Sequence, residues 1–170
     1  ILSSGMSYMS ELDTCIDFLK NQGIPISLMQ CTSKYPSSAE EYGLNMINLF
    51  KERYKIPIGF SDHSGDISTA IAATALGAKI IEVHITWDKE CFGPDSLSSL
   101  TLNEFRTCIK GIRNIEKSLE NPVNKDQLAF ELSDMRYLFC KGLIANQNIP
   151  KGSIITKEMI EARKPCIGIP

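Results

Sequence analysis

The sequence predicts an α/β fold built on a parallel sheet, and three observations predict it. Short apolar runs alternate with longer segments of helical period, four times over, between Ile1 and Leu119. The stretch Ile56 to Thr86, IPIGFSDHSGDISTAIAATALGAKIIEVHIT, reads as one complete strand–helix–strand unit. Both histidines of the chain lie in it, each just after an apolar run, His63 following IPIGF and His84 following KIIEV. Strands of a parallel unit end on one face of the sheet, where such folds place their chemistry. The two imidazoles are therefore expected side by side, with Asp62 and Glu82 supplying carboxylates nearby.

The elements follow in order. Ile1 to Met6 reads as the end of a strand and a turn at Gly5. Leu12, Cys15, Ile16 and Leu19 recur at helical spacing within Ser10 to Asn21, with Ser10 as N-cap and Gly23 as the stop. Ile24 to Cys31 is the next strand and leads into the polar turn TSKYP. Ser38 and Glu41 have capping-box spacing and open a helix through Leu44, Ile47, Phe50 and Tyr54. After the strand–helix–strand unit comes a loop from Trp87 to Ser99, then an amphipathic helix from Thr101 to Leu119. Two sheet types remain open: a doubly wound sheet, or half of an eight-stranded barrel. The chain has no GxGxxG or GxxxxGK[ST] loop, which favours the barrel.

Beyond residue 120 the pattern changes. Residues 121–135 read as a polar linker, and 136–170 as the start of a small β-rich module. In it Tyr137 to Ala145 and Ser153 to Thr156 read as strands, and Lys157 to Ile160 as a helical turn.

Composition excludes several classes. A net charge of −2 offers no field for nucleic acid or an anionic membrane. No apolar run approaches the roughly 20 residues that span a bilayer. The six cysteines form no CxxC pair and no zinc-like spacing, so a reducing cytoplasm is expected, with Cys15 and Cys108 as buried thiols. The start on Ile1 shows no signal-peptide pattern and no initiator Met, as expected of a cut or incomplete chain.

Five motifs then fall in one order: SSGM (3–6), QCTSKYP (30–36), GFSDHS (59–64), IIEVHIT (80–86) and FGPDS (92–96). In these the chain resembles the sialic acid synthase family, which condenses phosphoenolpyruvate with an N-acetylated hexosamine. KGLIANQNIPKGSIITKEMI (141–160) resembles the start of that family's antifreeze-like (SAF) domain. The resemblance implies the second half of a (β/α)8 TIM barrel, strands five to eight, over residues 1–120, and a truncated SAF module over 136–170. It implies that His63 and His84 hold a divalent metal, Mn2+ or Mg2+. Ser3, Ser33 and Ser61 match positions that bind phosphoenolpyruvate, and Tyr35 and Asp95 match sugar contacts. Glu82, two residues before His84, is a candidate for handling a proton, with Asp95 the second catalytic candidate. Lys164 stands where the family has an Arg reaching the partner's sugar in a domain-swapped homodimer, and Lys lacks the planar fork. Ser96 in GPDS, Ser4, Ser33 and Val83 also depart from the sialic acid branch, so the acceptor sugar stays open. A chain of this extent is expected to be inactive alone.

Two other functions compete with a synthase. A Schiff-base aldolase needs a desolvated lysine at a strand end, and only Lys34 and Lys89 are near. A non-catalytic carbohydrate-binding or scaffold subunit would not need the histidine pair, which is retained.

Overall fold

A computed structural model describes residues 1–169 of the chain. They form two compact units that divide between Asn121 and Pro122.

The first unit runs β1 (Leu2–Ser3), α1 (Met9–Asn21), β2 (Leu28–Cys31), α2 (Asn45–Tyr54), β3 (Ile58–Asp62), α3 (Ile67–Ala75), β4 (Ile80–Thr86), β5 (Ser99–Thr101) and α4 (Leu102–Glu120). The five strands lie in the order β1-β2-β3-β4-β5, and every pairing is parallel. A doubly wound sheet reverses its strand order at a switch point. This one never does, so it is singly wound.

Alternation along the strands separates two faces. Leu28, Ile58, Phe60 and Leu100 are buried, with Ile81 and Val83 beside them, against Ile16, Phe50, Ala73 and Cys108 of the four helices. All four helices therefore cover one face. Phe60 is fully buried in that layer, and Phe60→Ala should cost about 3–5 kcal/mol. The alternate set, Ser3, Cys31, Ser61, Glu82 and His84, faces away from the helices.

Five expectations for this unit need correction. The loop after Trp87 holds a fifth strand, β5, whose three residues are too short to show a period. The helix opened by Ser38 is only a 3-10 turn at Ala39–Glu41, and α2 starts afresh at Asn45. Gly43 separates them at φ 62°, a left-handed conformation that no helix continues through. The strand expected from Ile24 begins at Leu28, and α1 begins at Met9 with Tyr8 as N-cap. Cys108 is buried as expected, but Cys15 is only partly so.

The second unit holds α5 (Lys125–Glu131), α6 (Ser133–Phe139), β6 (Gly142–Ala145) and β7 (Ile160–Arg163). The stretch read as a linker carries α5 and the start of α6, because Asn124 caps α5 by accepting from the Asp126 and Gln127 N–H groups. Tyr137-Leu-Phe139 is helical, not a strand; a short continuous apolar run looks the same in either state. β6 and β7 pair antiparallel, and Leu143 also bridges to Ile169. Ser153 to Thr156 forms no strand, and Lys157–Met159 is a 3-10 turn leading into β7. Among the described residues no helix is long and apolar enough to cross a membrane.

Candidate active site

β3 and β4 run side by side in register, Ser61 opposite Glu82 and Asp62 opposite Val83, so His63, just past β3, and His84, two residues before the end of β4, follow at matching positions. The imidazole centroids of His63 and His84 lie 5.1 Å apart. The pairing expected from two matching strand ends is present.

His63 is 6% exposed and held on several sides. Its Nδ1 lies 2.7 Å from the Thr32 carbonyl oxygen and 3.0 Å from Thr32 Oγ1. Its backbone N–H donates to the same Oγ1 at 3.0 Å. The turn after it is fixed by Asp62, a buried carboxylate that accepts from Ser64 N and Ser64 Oγ at 2.9 Å each and from Thr69 Oγ1. Asp62 thus points to the helix side and is consumed there; of the two carboxylates expected near the histidines, only Glu82 faces them. The Asp62 charge also helps burial, the larger cause, to push the Cys108 thiol pKa up. Gly65, at φ 69°, lets the turn approach residues 96–98 so closely that a Cβ would sit 2.4 Å from the Leu97 carbonyl oxygen.

His84 is freer, its side chain 37% exposed and its Nδ1 3.9 Å from Asp95 Oδ2. Tyr35 leans over both rings, with centroids 4.0 Å from His63 and 6.0 Å, edge-on, from His84.

These groups border two hollows. Ser3, Ser33, Tyr35, Ser61, His63 and Glu82 line a cavity of about 460 Å³. His84 and Asp95 line another of about 260 Å³. Ser3 and Ser33 converge, each hydroxyl oxygen 3.4 Å from where a Cβ on Gly5 would lie. Ser61 donates to Glu82 at 2.6 Å, so that hydroxyl is engaged with the carboxylate. Lys164 lies in the second unit, just past β7. Eight of the nine residues singled out in the sequence therefore come together in the first unit, on the face turned away from the helices or in the loops at its rim.

The donor set fits a divalent cation. A metal bound at Nε2 stands roughly 3 Å from its ring centroid, so centroids 5.1 Å apart suit neighbouring positions on one ion. Metal-bound imidazoles commonly donate the other ring N–H to a carbonyl, the arrangement His63 has with Thr32. Among the described residues no group of three or more His, Cys, Asp or Glu could hold a metal, so this chain offers the two imidazoles. Lys34 pairs with Glu41, and Lys89 with Glu104 at 3.1 Å while donating to the Gly65 carbonyl at 2.8 Å. Neither lysine has the desolvated, unpaired amine a Schiff base requires.

Thr32 was missed in the sequence. It stands between Cys31 and Ser33 inside QCTSKYP, and no local pattern separates it from the serine beside it. Its role is visible only across the strand pair.

Comparison with known proteins finds several similar to this chain. The N,N'-diacetyllegionaminic acid synthase of Campylobacter jejuni is 33% identical over 172 residues, covering 99% of this chain and 51% of that protein. The N-acetylneuraminate-9-phosphate synthase of Homo sapiens is 34% identical over 164 residues, 96% of this chain and 45% of that protein. The crystal structure of the N-acetylneuraminic acid synthetase of Leptospira borgpetersenii superposes with a TM-score of 0.70 at 33% identity, over 78% of this chain and 48% of that one. The chain spans about half the length of the curated relatives it matches. The model of the NeuB family matches residues 1–124, most of the chain and all of the first unit, and the chain belongs to the NeuB family.

Proposed function

We propose that this chain is part of a nonulosonic acid synthase, joining phosphoenolpyruvate to the aldehyde carbon of an N-acetylated hexosamine with release of phosphate. One observation carries the reading: two imidazoles 5.1 Å apart adjoin a cavity lined by Ser3, Ser33, Ser61 and Glu82, in a member of the NeuB family. His63 and His84 would hold a divalent ion, Mn2+ or Mg2+, which when bound supplies positive charge to polarise the sugar aldehyde.

The remaining steps fall to the chain's own residues. Ser3, Ser33 and Ser61 donate to phosphate and carboxylate oxygens of phosphoenolpyruvate, orienting its C3 toward the aldehyde. Tyr35 and Asp95 hold the sugar, Asp95 accepting from hydroxyls. The C2=C3 electron pair forms the bond from C3 to the aldehyde carbon, the C=O pair passes to the aldehyde oxygen, which takes a proton from solvent, and C2 becomes electron-poor. Water then adds at C2, and as the new C2 hydroxyl becomes the C2=O carbonyl the C2–O bond to phosphate breaks, the hydroxyl proton leaving with the phosphate. Glu82 takes the proton from that water. Ser61 now donates to Glu82 at 2.6 Å; turning to a phosphate oxygen, it would leave the carboxylate free to accept.

We read the singly wound sheet as an arc of an eight-stranded barrel whose polar face is the interior, and the second unit as the start of an antifreeze-like module. Lys164 would reach the sugar of the other subunit in a domain-swapped homodimer. Six unpaired thiols suit the cytoplasm. The test is phosphate release by the complete-barrel protein, given phosphoenolpyruvate, Mn2+ and either N-acetylmannosamine or a diacetamido hexose. Turnover that EDTA abolishes is expected, and no turnover with any such sugar overturns the reading. The chain of 170 residues alone should be inactive, because an arc leaves two open sheet edges; activity from it would overturn the barrel-arc reading.

A further inference from the structure

A neutral imidazole accepts through one nitrogen and donates through the other. For His63 the neighbour that decides between them is Thr32, a residue 2% exposed at the end of β2. The Thr32 carbonyl oxygen is 2.7 Å from Nδ1. A carbonyl can only accept, so a bare Nδ1 would set two lone pairs against each other at that distance. The proton therefore belongs on Nδ1, and Nε2 keeps the lone pair. Among the described residues Nε2 has no hydrogen-bond partner, and it is not among the buried orphaned atoms, so it is open to the cavity.

The side chain of Thr32 adds a second hold. Its Oγ1 accepts the His63 backbone N–H at 3.0 Å and lies 3.4 Å from the Ser61 carbonyl, which can take the hydroxyl proton. Thr32 N–H also donates to the Ser61 carbonyl at 3.1 Å. Thr32 is thus tied both to Ser61 in β3 and to the backbone of the residue whose ring it orients. Among the described residues His84 has no such partner; Asp95 Oδ2 stands 3.9 Å from its Nδ1.

We propose that Thr32 is the positioning residue for His63, fixing the Nδ1–H tautomer and presenting Nε2 as the ligand atom. It acts on the ion through the ring. The consequence for metal binding rests on the synthase reading above; the tautomer does not.

The test has two arms. In the complete-barrel protein, ion-free and at about pH 8.5 where an ordinary imidazole is neutral, long-range ¹H–¹⁵N spectra of labelled histidine report which nitrogen carries the proton. The His63 signals, identified by their loss in His63→Gln, should show the Nδ1–H form; the Nε2–H form or an even mixture overturns the proposal. The second arm measures Mn2+ binding from the EPR signal of the free ion. Thr32→Val keeps the carbonyl and removes the hydroxyl, and should weaken binding about 10- to 100-fold. Thr32→Ser restores the hydroxyl and should keep wild-type affinity. Wild-type affinity in Thr32→Val removes the hydroxyl's role and overturns that half. A wild-type protein that does not bind Mn2+ refutes the metal reading, and the spectra still decide the tautomer, as they do if Thr32→Val fails to fold.

Discussion

β3 and β4 carry the same residue type at matching positions near their C-terminal ends, yet the two positions are built differently. At the end of β3, His63 is buried, its ring and backbone both held by Thr32, and Asp62 fastens the turn that follows. At the end of β4, His84 is half-exposed, and the loop beyond it, with Trp87 and Phe92 in solvent, has no buried carboxylate to anchor it. One imidazole is organised before anything binds. The other can move to meet what arrives. In the proposed synthase, a site that admits a bulky sugar and holds an ion would have a use for both: a fixed reference ligand beside an adjustable one. Fixing both would lower the reorganisation needed at binding but narrow the entry.

The largest effect should come from the histidines themselves. Either His63→Ala or His84→Ala should lower phosphate release by the complete-barrel protein on the order of 10³-fold or more, the loss expected when metal polarisation goes. Stability separates the two. His63→Ala strands buried polar atoms of Thr32 and should cost about 1–3 kcal/mol in urea unfolding. His84→Ala, at an exposed site, should stay within about 0.5 kcal/mol. Equal destabilisation would break the contrast between a fixed and an adjustable ligand.

Asp62 comes next. Asp62→Ala leaves Ser64 N without its acceptor and the Ser64 and Thr69 hydroxyls with the Asp66 carbonyl, at 3.4 and 3.0 Å, in place of the carboxylate. It should destabilise by about 2–3 kcal/mol and raise hydrogen exchange through residues 63–66. Asp95→Ala at the other strand end should change sugar KM and leave the unfolding midpoint in place, since that carboxylate is partly exposed and bonds no buried donor. A midpoint shift as large as that of Asp62→Ala would remove the distinction.

The histidine pair was legible because its signal is local: two apolar runs, each followed within three residues by a His, joined by a helix that Gly77 closes at φ 94°. The order of the strands was not. It depends on which edge each crossover returns to, and no residue in a crossover states that; hence the doubly wound alternative stayed open until the pairing was seen. β5 was hidden by its length, and the 3-10 break before α2 by a capping box that is real but serves only one turn. Thr32 and Asp62 mark the deeper limit. Both are short polar residues that look like turn formers, and both work through partners that lie elsewhere, 31 positions away for Thr32 and on the following helix for Asp62. The ligand candidates could be found from sequence, but what holds them could not.

The smallest effect tests the comparison at the helices that back each strand end, through acid. Asp66 caps α3 just after the His63 turn, accepting from Ser68 N at 2.6 Å and from the Ser68 hydroxyl. Those bonds, the hydroxyl's first, hold its carboxyl below the usual range. Glu104 closes the capping box of α4, accepting from Thr101 N at 2.7 Å, and that bond leads the causes holding its pKa down, ahead of Lys89. A carboxylate whose folded pKa is depressed adds stability that is complete above its unfolded pKa, near 4, and is lost as pH falls through the folded value. The melting temperature should therefore fall between about pH 5 and pH 2, in part through these two groups. Asp66→Asn and Glu104→Gln keep the capping geometry and discard the charge, so each should stay within about 0.5 kcal/mol of wild type at pH 7. Both carboxylates are accessible to solvent, and screening keeps the loss in acid to about 1 kcal/mol or less for each. Thermal melts at half-unit pH steps, wild type against each variant and the pair, should show the acid slope shallower in both and shallowest in the double variant. A double variant that loses stability in acid as steeply as wild type would mean that these caps carry no proton-linked stability, and that the two helix starts are held by packing alone.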